Sequence, residues 1–176
     1  MWAKNKYAIQ FTFLLILFIS WIVYDHQTTP KTGFIIIQDV YNGFDMKKEM
    51  EQKYNATRLG RDKILDSLDL ELKVLAGKIE SEGQKNISTI ERFNVKRQEF
   101  IHQKQTFEED NAALTKQYDQ QILTQLNQYL KDFGEKNHFT YIFGNDGNGS
   151  LVYAADAKNV TTEVIEYINR KYKGLE

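Results

Sequence analysis

The sequence predicts an α+β fold in which a long antiparallel helical hairpin, a coiled-coil arm, is attached to a small β-sheet body. Three observations support this prediction. Residues 45–137 form a charged, proline-free stretch in which apolar residues recur at helical spacing. Short apolar runs that are typical of strands flank this stretch on both sides. A glycine-rich segment at 143–154 interrupts the second group of runs, where a tight turn is expected.

Composition excludes several classes of protein. The chain of 176 residues contains no cysteine and has a formal net charge of −1. The near balance of charge argues against nucleic acid as a partner, and the lack of cysteine removes disulfides, thiolate metal sites and a cysteine nucleophile. The histidines, His26, His102 and His138, show no ligand spacing. We therefore expect a protein that is not an enzyme and has no catalytic residue, cofactor or metal.

The N-terminal region predicts a helix that spans a membrane. Residues 7–24 carry no charge, and as a helix they would be about 27 Å long, near the thickness of a hydrocarbon core. Lys4 and Lys6 precede this segment, which places the N-terminus in the cytoplasm and the rest of the chain on the exported side. Residues 20–33 offer no pair of small residues suited to signal peptidase. An uncleaved anchor is therefore favoured, and a removed signal peptide is the alternative.

The body is predicted from three strand-like segments, 34–37, 139–143 and 151–155, which are rich in β-branched and aromatic residues. Gly147 and Gly149 would supply the positive φ angles of a hairpin between the last two. A sheet covered by one C-terminal helix cannot bury so many large side chains, so we expect the body to assemble between chains. An intrachain core closed by the arm bases is the alternative. The predicted assembly residues are Phe34, Ile35, Ile36, Ile37, Tyr141, Phe143, Leu151 and Tyr153.

The arm is predicted from two heptad seams. The first consists of Leu65, Leu68, Leu72, Leu75 and Ile79. The second runs from residue 90 to residue 118 and includes Arg97, Lys104 and Asn111, where a strong coiled coil would carry leucine or isoleucine. Both helices are therefore expected to pack weakly against each other.

The tip of the arm is predicted near residues 77–88. Gly77 and Gly83 each disfavour a helix by about 1 kcal/mol relative to alanine, so we expect the chain to fold back here. One continuous helix through Gly83 is the alternative. Basic residues outnumber acidic ones between residues 73 and 97, which predicts a site for acidic clients or anionic membrane surfaces, unless this is an ordinary solvated helix face. The residues of this basic arm tip are Lys78, Lys85, Arg92, Lys96 and Arg97.

The order of these segments resembles the Skp/OmpH family of periplasmic chaperones. The matching pieces are 34–44 with the lysines that follow, 139–153 and 156–169, whereas the arms match only in character. The resemblance implies a homotrimer whose strands form a central body, with coiled-coil arms extending around a cavity. It also implies ATP-independent holding of unfolded outer-membrane proteins on their way to insertion.

Two functions fit these expectations. One is the holding chaperone, and the other is a membrane-tethered coiled-coil scaffold or spacer of the cell envelope. A scaffold requires a regular apolar seam, so polar residues at seam positions favour the chaperone. Its expected partners are unfolded outer-membrane proteins, further copies of the chain and the inner membrane. The predicted organisation is a signal-anchor or transmembrane segment at 1–24, a linker at 25–32, a body at 33–44 and 138–176, and an arm at 45–137.

We expect the protein to fractionate with the inner membrane, because residues 7–24 are long enough to span it and no good cleavage site follows. Mass spectrometry of the mature N-terminus checks this expectation. A mature chain that begins between residues 20 and 33 would contradict it.

Overall fold

A computed structural model describes residues 14–20, 29–82 and 86–175 of the chain. Residues 14–20 are helical. The elements that follow are β1 (Thr32–Ile36), α1 (Ile37–Gly43), α2 (Asp45–Glu82), α3 (Ile87–Lys136), β2 (Tyr141–Asn145), a 3₁₀ turn (Asp156–Lys158) and α4 (Thr161–Tyr172). The chain forms two compact units: the body unit, which comprises residues up to Val40 with Leu130–Val164, and the arm unit, which comprises Tyr41–Tyr129 with the chain from Ile165 onward.

The membrane segment predicted at 7–24 lies largely outside the described residues. Among the residues that are described, no helix has both the length and the apolar character needed to cross a membrane. The anchor therefore stays a prediction from the sequence.

The body unit is built around a two-stranded parallel sheet. β1 pairs with β2 so that Phe34 lies opposite Phe143. Along the other edge of β1, the amide of Val160 donates a hydrogen bond of 2.9 Å to the carbonyl of Phe34. The amide of Ile36 donates one of 3.0 Å to the hydroxyl of Thr161. β1 therefore has hydrogen-bonding partners along both edges, and Phe34 is buried between them.

The predicted hairpin between 139–143 and 151–155 is wrong for the single chain. Residues 151–155 lie outside regular secondary structure, and β2 pairs with β1 instead. Gly147 and Gly149 do adopt the positive φ angles expected of them, 78° and 90°. The turn that contains them does not return the chain along β2.

Hydrogen bonds to the side chain of Asp146 explain why the chain does not form the predicted hairpin. Its carboxylate accepts a bond of 2.9 Å from the amide of Asn148 and one of 3.0 Å from the hydroxyl of Ser150. These bonds, with the Asn148 amide first, hold the pKa of Asp146 below its ordinary value. Local bonds of this kind compete with strand pairing, so residues 146–150 form a turn held by the Asp146 side chain.

The first strand ends one residue earlier than the apolar run 34–37 that predicted it. β1 ends at Ile36, and Ile37 begins α1. A side chain at Gly144 would place its Cβ 2.6 Å from the end of Ile37, so Ile37 packs directly over this glycine. Val40 of α1 is fully buried, which explains why the apolar run continues beyond the strand.

A Schellman turn ends α3 and leads the chain into β2. His138 adopts a φ of 57°. The amide of Phe139 donates to the carbonyl of Gly134 at 2.9 Å, and the amide of His138 donates to that of Glu135 at 3.2 Å. This pair of bonds and the left-handed residue define the motif, which reverses the chain without a glycine at the reversing position.

The helices α2 and α3 of the arm unit run antiparallel. Arg61 of α2 pairs with Asp110 of α3 at 3.2 Å, and Glu71 pairs with Lys96 at 3.2 Å. Residue numbers rise along α2 as they fall along α3, which excludes the alternative of one continuous helix. The break between the helices falls within the predicted region 77–88.

The first heptad seam is confirmed in α2, and the same face continues towards the start of the helix with a polar residue. Leu68 and Leu75 are buried. One heptad before Leu68, Arg61 faces α3, where its guanidinium donates to the side-chain oxygen of Asn111 and lies 5.4 Å from the centre of the Phe107 ring. The middle of the arm is therefore held by polar and cation–π contacts in place of leucine packing.

The break between α1 and α2 is completed by α4. Phe44 in this break is fully buried, and its ring centre lies 5.7 Å from that of Tyr172. The Asn169 side chain accepts a bond of 2.8 Å from the amide of Asp45 and donates one of 2.9 Å to the carbonyl of Gly43. One side chain thus satisfies the end of one helix and the start of the next.

Two tyrosines hold carboxylates at the base of the arm unit. The Tyr41 hydroxyl donates to Asp119 at 3.0 Å, and burial together with this carboxylate raises the pKa of Tyr41 to about 12. The Tyr172 hydroxyl donates to Glu49, and this bond together with burial raises the pKa of Tyr172 to about 12. Lys53, 2.7 Å from Glu49, and then Tyr172 hold the pKa of that carboxyl below its ordinary value.

Asn169→Ala should lower the free energy of unfolding by about 1–3 kcal/mol, because it leaves the amide of Asp45 and the carbonyl of Gly43 without their partner in a half-buried position. Chemical denaturation followed by circular dichroism measures the change. Glu166→Ala, on the exposed face of the same helix, is the matched control and should change stability by less than about 0.5 kcal/mol. If both substitutions lower the free energy of unfolding equally, the two hydrogen bonds of Asn169 do not stabilise the fold.

Tyr41 and Tyr172 should ionise about two pH units above an unfolded tyrosine. Since the raised pKa means that the fold retains the protonated phenols, their contribution to stability is complete below about pH 10 and is lost as the pH rises through about 12. Phenolate absorbance measures this, with circular dichroism to show that the chain is still folded. Tyr41→Phe and Tyr172→Phe should each remove part of the late signal. If all tyrosines of the folded chain instead ionise with one midpoint at about pH 10, the two carboxylate contacts are absent.

Candidate functional site

The surfaces of interest in this chain are exposed apolar groups and charged groups on the body unit and the arm unit. Within the ranges that the structure describes, no three His, Cys, Asp or Glu side chains come together as a metal site. His102 and His138 are exposed, and His26 lies outside the described residues. Three carboxylates, Asp66, Asp69 and Glu71, lie close together in the sequence of α2, and two of them are engaged in ion pairs: Asp69 with Lys73 at 2.6 Å and Glu71 with Lys96 at 3.2 Å.

The predicted assembly residues divide into two groups. Phe34 and Ile35 are buried inside the body unit, and Ile36 and Leu151 are half-buried. The intrachain alternative accounts for this first group. The second group is exposed and consists of Ile37 (41%), Tyr141 (59%), Phe143 (48%) and Tyr153 (84%).

The exposed group includes an aromatic pair on β2. The rings of Tyr141 and Phe143 stack with their centres 6.0 Å apart. Because side chains alternate along a strand, Ile142 lies on the opposite face, towards Gly134. In the part of the chain that is described, β2 has a strand partner on one side, β1. An exposed aromatic face beside a strand edge is typical of a surface that another chain covers.

A second surface, the tip groove, lies between α2 and α3 near their break. It is a cavity of about 620 Å³. Its apolar lining comes from Leu70, Val74 and Leu75 of α2 and from Val95 of α3. Leu75 is buried, but Leu70, Val74 and Val95 are 63%, 52% and 66% exposed. Large apolar side chains that line one groove and remain this exposed indicate a binding surface.

Basic residues border the tip groove. Lys96 lies 3.2 Å from Glu71 and 3.0 Å from Glu99, so its charge is matched. Lys78 and Arg92 also line the groove, and neither has an ion-pair partner among residues 29–81 and 86–175. The structure thus brings together three of the residues that the sequence assigns to the basic arm tip.

The other residues of that set do not join the groove. Arg97 is exposed and does not line it, and Lys85 lies outside the described residues. Arg97 and Lys104 were expected at seam positions, yet both are exposed. Phe100, Phe107 and Asn111 of the same seam are half-buried, so the contact face continues, and the long charged side chains of Arg97 and Lys104 extend from it into water.

Sequence reasoning missed the apolar half of the tip groove. Leu70 and Val74 lie four residues apart, off the heptad seam, so they share a second face of α2. This spacing is the signal that could have identified them. Asn169 and the hydroxyl of Thr161 were missed as well, because their partners, in β1 and at the break before α2, are distant in sequence.

Comparison with known proteins agrees with these features. A family model described as outer membrane protein (OmpH-like) matches residues 31–168. Among solved structures, the chain is similar to a candidate outer membrane chaperone (OmpH-like) from Caulobacter crescentus, with a TM-score of 0.70 and 9% identity over 82% of this chain and 86% of that one. No curated protein matches the chain. At such low identity the structural likeness shows the fold, whereas the family match spans most of the sequence and confirms the resemblance. The chain belongs to the OmpH-like family of outer membrane proteins.

Proposed function

We propose that this protein is an ATP-independent holding chaperone that binds unfolded outer-membrane proteins in the periplasm. The observation that carries the proposal is the OmpH-like family match over residues 31–168. The similar structure from Caulobacter crescentus is itself described as a candidate outer membrane chaperone. The surfaces of the arm unit add physical support.

The arm helices expose apolar side chains that a holding chaperone can use. A folded protein gains free energy by burying such groups, and an unfolded client can bury its own against them. The exposed members on α2 and α3 include Leu59, Ile64, Leu70, Val74, Val95, Ile101 and Leu123.

The middle of the arm supports the same function. At Arg61 the seam is held by bonds to Asp110 and Asn111 in place of buried leucine. Asp110 is exposed, so water can reach this contact and replace it more readily than it could replace a buried leucine pair. The two helices can therefore separate locally around a client more easily than a continuous leucine seam would allow.

The second part of the proposal is assembly as a homotrimer through the body unit. The exposed pair Tyr141 and Phe143 supports an intermolecular surface. Tyr153, in the irregular segment after the Asp146 turn, offers a further exposed aromatic group. The charge-free segment 7–24 supports a third part, attachment to the inner membrane.

One observation favours the alternative, a tethered scaffold. α2 carries ion pairs at i,i+4 spacing, such as Lys47–Glu51 at 2.8 Å and Lys73–Asp69 at 2.6 Å. Each pair stabilises a helix by about 0.2–0.5 kcal/mol, so a row of them stiffens the helix as a spacer would require.

The full chain, reconstituted in nanodiscs, should contain three copies by light scattering and should suppress aggregation of an unfolded outer-membrane protein without ATP. Tyr141→Ser/Phe143→Ser should reduce the mass to that of one copy and weaken the holding in parallel, because it removes the exposed aromatic surface on which assembly depends. Both readouts are taken on the same samples.

Leu59→Ser/Leu123→Ser removes apolar side chains of similar exposure from the arm helices and serves as the control for mass, which it should not change. A wild-type chain that is trimeric but holds no client would favour the scaffold. A wild-type chain with the mass of one copy would contradict the trimer.

A further inference from the structure

We propose that the tip groove binds a short apolar segment of an unfolded polypeptide that carries acidic residues at one end. This inference rests on the proposed holding function and names the class of segment that this one surface selects. The rest of the arm would offer apolar contact without a preference for charge or direction.

The apolar lining is arranged to accept side chains from outside. Leu75 is buried between the helices and forms the floor, while Leu70, Val74 and Val95 stand around it largely exposed. Isolated exposed apolar residues are normal on any surface. Here three of them surround one cavity, so a ligand that fills it removes all three from water at once, which is the favourable term of binding.

The dimensions fit a short extended segment. The volume of about 620 Å³ is within the usual range of small-ligand sites. Along α2, the lining extends from Leu70 to Lys78, which corresponds to about 12 Å of helix. An extended peptide covers that distance in about four residues, of which two face the groove. The groove therefore has room for two apolar side chains and a charged residue beyond them.

The charges along the groove differ from one end to the other. Glu71, Lys96 and Glu99 form a linked set in which two carboxylates share one ammonium group. Lys78 and Arg92 lie closer to the break between the helices, because α2 and α3 run antiparallel. Among residues 29–81 and 86–175 these two cations have no ion-pair partner, whereas Glu71 and Lys96 neutralise each other in the lining, so one end of the groove is neutral and the other basic.

Lys78 and Arg92 identify the polarity of the occupant. Glu91 also lines that end of the groove, so the local excess there is one positive charge. A client carboxylate placed there would gain two cations, whereas a client lysine would face them. Such complementarity contributes mainly to orientation and selectivity, while the apolar lining supplies affinity. The inferred occupant is thus a segment with two apolar side chains followed or preceded by carboxylates.

The test uses the full chain in nanodiscs of zwitterionic lipid and two labelled ten-residue peptides. One peptide carries alternating leucine and valine with two glutamates at one end, and its twin carries glutamine in place of glutamate. Fluorescence anisotropy should show the acidic peptide binding about three- to tenfold more tightly, as expected for two partly exposed charge pairs. Empty nanodiscs measure any binding of the peptides to lipid.

Two variants separate the two halves of the site. Val74→Gln/Val95→Gln should weaken binding of both peptides at least tenfold, because it removes most of the exposed apolar lining. Lys78→Gln/Arg92→Gln should remove the preference for the acidic peptide and leave the glutamine twin within about twofold of the wild type. Circular dichroism verifies that each variant retains its helices.

Matched controls lie on the same helices outside the groove. Ile87→Gln alters an apolar residue of α3 that does not line the groove and is about as exposed as Val95, 69%, and should leave both affinities unchanged. Lys63→Gln/Lys116→Gln removes two exposed cations elsewhere on the arm helices and should leave the preference intact. If these controls reduce binding as much as the groove variants do, the groove has no special role and the inference is overturned.

The outcomes distinguish this inference from the function on which it rests. If the wild type suppresses aggregation of an outer-membrane protein but binds both peptides equally, the inference fails and the holding function stands. If it suppresses no aggregation but binds the acidic peptide through Val74 and Lys78, the holding function fails and the groove assignment stands. Binding of anionic vesicles through the same residues, with no peptide binding, would assign the groove to a lipid surface and overturn the inference.

Discussion

The body unit depends on the hydrogen bonding of β1 along both of its edges. β2 supplies the partners on one side, and Val160 and Thr161 supply them on the other. Buried backbone groups must be paired, so neither segment can be removed without leaving groups of β1 short of partners. The residues between β1 and β2 form a long helical crossover, which is the kind of connection that parallel strands require. The two-stranded sheet can therefore form only after the crossover has brought β2 back beside β1.

Stability within the arm unit is graded along its length. At the base, Phe44, Ile122, Leu126 and Ile168 are buried. At Arg61 the helices meet through polar groups, and at the tip groove apolar side chains are exposed. Elements with few buried contacts open most readily, so flexibility in this unit is concentrated where the surfaces suited to an unfolded client lie. This gradient is the physical property that a holding chaperone of the OmpH-like family would use.

The helical part of the fold could be predicted from the sequence far better than the body. The burial of Leu68 and Leu75 can be predicted from their heptad spacing alone. The direction of β2 depends on the turn at His138, where the sequence has no glycine to indicate it. Asp146 lies in a segment that reads as a hairpin, because hydrogen bonds from its side chain leave no periodic pattern. Only the basic residues of the tip groove could be predicted from the sequence. A cluster of basic residues is visible in sequence, but Val74 and Val95 become neighbours only when two helices pack together.

Asn169 also sets an order of events in time. Its bond to Asp45 joins residues 124 positions apart, and the bond between Ile36 and Thr161 joins residues 125 apart. Ribosomes synthesise the chain from its N-terminus at about 5–20 residues per second. Neither bond can therefore form until nearly all of the protein has been made. Contacts between such distant residues also make folding slow. The nascent chain thus cannot complete its body or the base of its arm until translation is almost finished.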